Sequence, residues 1–239
     1  MKKLVVITGA SSGIGEAIAK RFSEAGYPLL LIARRIEKLT ALNLPNCLCE
    51  QVDVTNKEAF VQAIAKAEAE FGPVDCLINN AGVMLLGQIE TQDSNEWQKM
   101  FDVNVVALLN GMQAVLEPMK NRNCGTIINI SSIAGRKTFP NHAAYCGTKF
   151  AVSAITENVR EEVADFGVRV TNISPGAVET ELLNHTTSSE IKAGYEDWKQ
   201  TMGGALLADD IARSALFIQE QPQQVCIREL LIAATRQQP

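Results

Sequence analysis

The sequence predicts a doubly wound α/β fold: a seven-stranded parallel sheet with helices on both faces, in a single domain. Three observations lead there. Seven short runs rich in Val, Ile and Leu recur along the chain, and most lack the apolar–polar alternation of a strand with one wet face, which marks strands buried on both sides. Longer helical stretches separate the runs, and parallel strands joined by right-handed crossovers place helices on both sheet faces. A glycine-rich turn stands between the first strand and the first helix, where backbone N–H groups and the helix dipole converge.

Taken in order, residues 4–7 form the first strand, and Thr8-Gly9-Ala10-Ser11-Ser12-Gly13-Ile14-Gly15 the turn. A helix over 14–25 stops at Gly26. Strands follow at 28–32 and 47–52, then a helix over 56–71 with Thr55 as N-cap and Gly72-Pro73 as its stop. The fourth strand spans 76–78, and one long helix is expected over 94–120. A strand at 126–130 leads into Ser131-Ser132, a second long helix covers 144–166 and ends at Gly167, and a sixth strand spans 168–173. The last helix, 209–220, and a strand at 230–233 complete the set. The polar stretch 179–204 interrupts the alternation. An insert of this length is a lid over a site or a plain pair of surface helices.

Composition narrows the function classes. The chain of 239 residues is 46% hydrophobic, enough for one large core. Its net charge of −5 and the lack of a basic stripe argue against nucleic acid and anionic membrane as partners. The apolar stretch after Lys2-Lys3 is too short for a signal peptide, and no run suffices for a membrane span. A cytoplasmic protein is expected. Cys47, Cys49, Cys76, Cys124, Cys146 and Cys226 form no Cys-x-x-Cys, and only two His are present, so no metal site is expected and the thiols read as small buried or half-buried side chains.

The turn after the first strand occupies the position where a dinucleotide pyrophosphate binds, with the spacing Gly-x-x-x-Gly-x-Gly. The second strand runs into Ala33-Arg34-Arg35. An acidic residue there would accept ribose hydroxyls. Two guanidiniums suit a 2′-phosphate instead and favour NADP(H) over NAD(H). In Tyr145-Cys146-Gly147-Thr148-Lys149 the Tyr and Lys share one helix face. An ammonium beside a phenol stabilises the phenolate and draws its pKa down from about 10, and such a Tyr exchanges a proton with a substrate oxygen. The hydroxyl of Ser132 would hold that oxygen. Strand alternation puts Ser131 and Ser132 on opposite sides, so only one faces the site.

Further along, Asp53-Val54 follows the third strand, Asn79-Asn80-Ala81-Gly82 closes the fourth, Asn104 lies in the long helix, and Pro175-Gly176 precedes Val178 and Thr180. Together these motifs resemble the short-chain dehydrogenase/reductase family, its single-domain NADP(H)-preferring branch, over nearly the whole chain. The resemblance implies a Rossmann-type fold and a catalytic set of Asn104, Ser132, Tyr145 and Lys149, with the family interval selecting Ser132 over Ser131. Asn104 would help hold a water that links Lys149 to solvent. Lys149 would also bind the nicotinamide ribose. The cofactor NADP(H) would lie along Gly9, Ser11, Ser12, Gly13, Ile14, Gly15, Arg34, Arg35, Asp53, Val54, Asn80, Ala81, Gly82, Tyr145, Lys149, Pro175, Gly176, Val178 and Thr180, with Asp53 at the adenine and the Thr180 hydroxyl at the carboxamide.

The implied activity is hydride transfer between NADP(H) and a small hydroxy or keto compound, such as a 3-hydroxy acid or a serine-like substrate. A 3-ketoacyl-carrier reductase is the alternative enzyme, and a non-catalytic NADP(H)-binding regulator the alternative of another class. The acidic insert speaks against an acidic carrier, and the complete catalytic set against the regulator. Arg136, Phe139, His142, Gly176 and Val178 are expected on the substrate side. Arg136 would neutralise a carboxylate or be a surface charge, and His142 would line the site or be a polar residue at a helix start. Because Thr180 begins the 179–204 insert, the insert would cover the nicotinamide end. Family members pair through the helices of 94–120 and 144–166, so a homo-oligomer, dimer or tetramer, is expected, with small molecules as the other partners.

Overall fold

The computed structural model describes residues 2–237. Seven parallel strands form one sheet in the order β3-β2-β1-β4-β5-β6-β7. They are β1 (Val5–Thr8), β2 (Leu29–Ala33), β3 (Cys47–Gln51), β4 (Cys76–Asn79), β5 (Gly125–Ile130), β6 (Val168–Pro175) and β7 (Glu229–Ile232). Among the described residues, eight α-helices accompany them: α1 (Gly13–Glu24), α2 (Ile36–Thr40), α3 (Lys57–Phe71), α4 (Ser94–Phe101), α5 (Ala107–Asn121), α6 (Ala143–Val163), α7 (Ser189–Thr201) and α8 (Ala208–Gln219).

The apolar runs do not alternate because both sheet faces are covered. On β1, Val6 enters one core with Phe60, Ile64, Met112, Val115 and Val152 of α3, α5 and α6. Its neighbours Val5 and Ile7 enter the other, with Ile18 and Phe22 of α1 and Ile211 and Ala215 of α8. Strands β2 and β4 divide in the same way, Leu30 and Leu77 to the first core, Leu31 and Ile78 to the second. β1 pairs with β2 on one side and β4 on the other, Val5 opposite both Leu29 and Cys76. The strand order reverses between them, so the helices that follow β1 and β4 pack on opposite faces of the sheet and leave a crevice at the carboxyl ends.

Three local features differ from expectation. The helix over 94–120 is interrupted by a π-turn, Asp102–Val106, which contains Asn104. Such a turn takes up an extra residue without ending the helix, so periodicity alone reads straight through it. The short α2 is too brief for a periodic signal. Cys226 is exposed, whereas Cys76 and Cys146 are buried. The 179–204 segment forms a short 3₁₀ turn, Glu181–His185, and then α7. A parallel bridge from Val178 to Leu206 ties its two ends together.

Candidate active site

A cleft of about 1430 Å³ runs along the carboxyl ends of the strands. At one end the turn after β1 bends sharply. Gly9 has φ +66°, and a Cβ there would stand 2.8 Å from Ala81 Cα. A Cβ on Gly15 would stand 2.3 Å from the Gly9 carbonyl oxygen, so only glycine lets α1 start this close to the loop. The loop is clamped to β4: Asn80 Nδ2 donates to the carbonyls of Thr8 and Gly9 at 3.0 and 3.2 Å, and the Thr8 hydroxyl accepts from the backbone N–H groups of Asn80 and Ala81, each at 3.0 Å.

Beside the loop, Arg35 donates to the hydroxyls of Ser11 and Ser12 at 3.2 and 2.8 Å. Its other terminal nitrogen meets the Glu181 carboxylate at 2.9 Å, and Lys38 Nζ reaches the second oxygen of that carboxylate at 3.0 Å. These bonds from Lys38 and Arg35 take the Glu181 carboxyl down to about 2. Asp53 closes this end. Burial pushes its carboxyl up, but hydrogen bonds from the Thr55 N–H and hydroxyl outweigh burial and hold it low.

At the other end α6 presents Tyr145 and Lys149, 6% and 7% exposed, one turn apart. Lys149 Nζ lies 5.7 Å from the Tyr145 ring centroid and donates to the Ile130 carbonyl at 3.0 Å. Burial lowers the ammonium to about 8. The phenol is driven up, first by burial and then by neighbouring Tyr195, while the Ser132 hydroxyl pulls the other way. In this arrangement burial therefore outweighs the expected lowering of the phenol by Lys149, whose charge is desolvated and aimed at Ile130. Ser131 and Ser132 diverge as alternation requires. Ser131 donates to the Lys149 carbonyl at 3.2 Å, pinning α6 to β5, while Ser132 lies in the cleft, accepts from Ala134 N–H at 3.1 Å and donates to the Pro175 carbonyl at 3.4 Å.

Every expected cofactor and catalytic residue lines the cleft except Gly15 and Asn104. Gly15 acts from beneath the loop. Asn104, 2% exposed, accepts from Val83 N–H at 2.8 Å and donates to the Val83 carbonyl and the Thr148 hydroxyl at 2.9 and 3.1 Å. Both N–H bonds of its side chain are thus committed to the wall of the cleft. Gly82 lies between Asn104 and Lys149: a Cβ there would stand 3.3 Å from Asn104 Oδ1 and 4.0 Å from Lys149 Nζ. Thr180 uses its hydroxyl to accept from Leu182 N–H at 3.3 Å.

On the substrate side Phe139, His142, Gly176 and Val178 line the cleft, and Arg136 does not. Arg136 is a surface charge, bound to Glu229 at 2.7 Å. Burial lowers the His142 imidazole against the raising effect of its contact with the Pro140 carbonyl. Three participants escaped sequence reasoning: Lys38, Tyr195 and Trp198. The last two were detectable as an i,i+3 aromatic pair in an otherwise polar segment.

The match to known proteins follows this geometry. Residues 3–191 match the short chain dehydrogenase family. The chain belongs to that family. An uncharacterized oxidoreductase of Staphylococcus saprophyticus is 40% identical over 98% of this chain and 97% of its own length. The closed form of a serine dehydrogenase complexed with NADP⁺ superimposes with a TM-score of 0.92, at 32% identity, covering 99% of this chain and 96% of that one. An alcohol dehydrogenase from the archaeon Thermococcus sibiricus, complexed with 5-hydroxy-NADP, gives a TM-score of 0.86 at 27% identity, covering 100% and 99%. The chain is therefore an oxidoreductase of that family and shares the fold of these relatives. Among the described residues no helix is long and apolar enough to cross a membrane, and no cluster of His, Cys, Asp and Glu could hold a metal ion.

Proposed function

We propose that the protein transfers hydride between NADP(H) and a small hydroxy or keto compound, with Tyr145 as the proton-exchanging group. The observation that carries this reading is the convergence of Ser132, Tyr145 and Lys149 at one end of a cleft whose other end is a glycine cradle flanked by Arg35. The cradle fits a dinucleotide. Its backbone lies at the N-terminus of α1, where partial positive charge favours a pyrophosphate. The place for a 2′-phosphate is already built for an anion, since Arg35 and Lys38 grip a carboxylate there. Structural relatives carrying NADP support the same cofactor.

When bound, NADPH would donate hydride to the carbonyl carbon and NADP⁺ would accept it from the carbinol carbon. The protein supplies the proton. In reduction Tyr145 gives its phenolic proton to the carbonyl oxygen, and in oxidation it takes a proton from the hydroxyl. Ser132 donates a hydrogen bond to that oxygen as its charge changes. Lys149, lowered by burial to about 8, would return a proton to the phenol in reduction and take it in oxidation, and would hold a ribose hydroxyl of the bound cofactor. Asn104 holds Val83 and Thr148, and so the wall opposite Lys149.

The remaining elements of the reading rest on particular residues. The 179–204 segment serves as a lid, because Leu182, Ile191, Tyr195 and Trp198 line the cleft from it. The chain assembles as a homo-oligomer through the α4–α5 and α6 faces, which leave Phe101, Val106, Leu109 and Phe150 exposed. A cytoplasmic location suits its free cysteines. In the test, purified protein is assayed with NADPH and NADH against a carbonyl panel. NADPH should be oxidised much faster, and Tyr145→Phe should abolish turnover while fluorescence titration still shows NADPH binding. Turnover surviving in Tyr145→Phe refutes the role of the phenol, and equal use of both cofactors refutes the role of Arg35.

A further inference from the structure

The residues around Tyr145 also constrain the substrate. Four rings close a circuit beside it: Phe139 to His142 at 5.6 Å between centroids, His142 to Tyr195 at 6.3 Å, Tyr195 to Trp198 at 5.3 Å and Trp198 to Phe139 at 6.3 Å. His142 carries the circuit to Tyr145, 6.2 Å away. All five rings line the cleft, and Met84, Leu86, Leu183 and Ile191 extend the apolar wall.

The charges are as telling. The cations on the cleft wall are Arg34 and Arg35 at the phosphate end, Lys149, and Lys199 on α7. Lys199 has only 8% of its side chain exposed and is held by two carboxylates, Glu179 at 2.9 Å and Glu196 at 2.7 Å. Two carboxylates on one ammonium leave this group one charge negative. Arg136 is bound to Glu229, and Lys137, which lies over the Phe139 ring at 5.7 Å, is not on the cleft wall. Burial also keeps His142 neutral into lower pH. A carboxylate packed against the four rings would lose water and find no cation there that a carboxylate does not already hold; Lys149, on the far side of Tyr145 from this circuit, is the ammonium the proposed chemistry itself uses.

We infer that the substrate is an uncharged aldehyde or ketone, or the matching alcohol, bearing an aromatic or branched apolar group that packs against Phe139, His142, Tyr195 and Trp198. Hydroxy acids are discriminated against. The inference rests on the oxidoreductase reading above and narrows it.

The experiment measures kcat/KM with saturating NADPH for matched pairs: ethyl 3-oxobutanoate against 3-oxobutanoate, and benzaldehyde against 4-carboxybenzaldehyde, with betaine aldehyde as a cationic probe. The neutral member of each pair should exceed its carboxylate by about a hundredfold or more, at least the scale on which an apolar pocket rejects an added polar group. Freeing Lys199 in the double variant Glu179→Gln/Glu196→Gln should raise use of the acid relative to the ester by about tenfold, the worth of one charge-assisted hydrogen bond. Acids used as well as esters by the wild type, or betaine aldehyde preferred over benzaldehyde, overturns the inference while leaving the role of Tyr145 intact. If no carbonyl turns over, the oxidoreductase reading fails. Quenching of Trp198 fluorescence, with Trp198→Phe as control, then still compares the ligands, and tighter binding of the carboxylate overturns the inference by itself.

Discussion

Asn104→Ala separates a structural from a chemical role at a position the family associates with catalysis. The substitution removes three hydrogen bonds, two of them to the backbone of Val83 and one to Thr148, from a site only 2% exposed. Thr148 loses little, because its hydroxyl still donates to the Tyr145 carbonyl at 2.7 Å. The Val83 N–H and C=O are left without partners, at about 1–3 kcal/mol each. Alanine returns roughly 0.5 kcal/mol of helix propensity. The net loss is about 3 kcal/mol, which for a chain of this length lowers the melting temperature by about 6–12 °C. Val83 begins the run Val83–Leu86 that packs on Tyr145 and Leu183, so KM for the carbonyl should rise as well. Calorimetry of wild type and variant at equal concentration provides the measurement. A melting temperature within about 2 °C of wild type, with turnover lost, would show that Asn104 acts on the chemistry and that the hydrogen-bond argument is wrong.

Other perturbations probe the two ends of the cleft. Gly15→Ala places a methyl group 2.3 Å from a backbone oxygen, so the loop must shift. NADPH affinity by fluorescence titration should fall at least about tenfold, one hydrogen-bond-sized loss at the cradle, and unchanged affinity would remove the loop from cofactor binding. Lys149 is near 8 in the fold against a reference of 10.5. Below pH 8 it is protonated in both states. Between these values the unfolded chain keeps a proton the fold has released, so stability rises with pH. Urea unfolding of wild type and Lys149→Met at pH 7.5 and 9.5 should show the wild type gaining relative to the variant, and parallel pH dependence would contradict the burial argument. Glu181→Gln removes the carboxylate that Arg35 and Lys38 grip. NADPH should then bind about two- to fivefold tighter, the range of an exposed ion pair, with NADH unaffected. Weaker NADPH binding would mean that Glu181 supports the cofactor instead of competing with it.

Much of the molecule was legible in the order of its residues. The strands were readable because both sheet faces are covered, which removes alternation and leaves uninterrupted Val, Ile and Leu. The glycine turn was readable because only glycine tolerates Gly9 at φ +66° and a helix starting against the Gly9 carbonyl. Tyr145 and Lys149 were readable because a helix repeats every 3.6 residues. The π-turn at Asp102–Val106 was not, since one extra residue leaves the apolar spacing nearly intact.

By itself, then, the sequence determined what local periodicity and steric permission determine: seven strands, the crossovers between them, the phosphate turn, and the spacing of Ser132, Tyr145 and Lys149. The tertiary structure decided what depends on contacts between distant segments. It placed Arg136 on Glu229, 93 residues away, and so out of the cleft. It brought Glu181 across to Arg35, 146 residues away, and folded Tyr195 back over His142 and Trp198 over Phe139. It also turned Asn104 toward Val83. A charge or ring is the same symbol in a sequence whether it meets a partner, a solvent shell or a substrate, and only packing decides which of these neutralises or buries it.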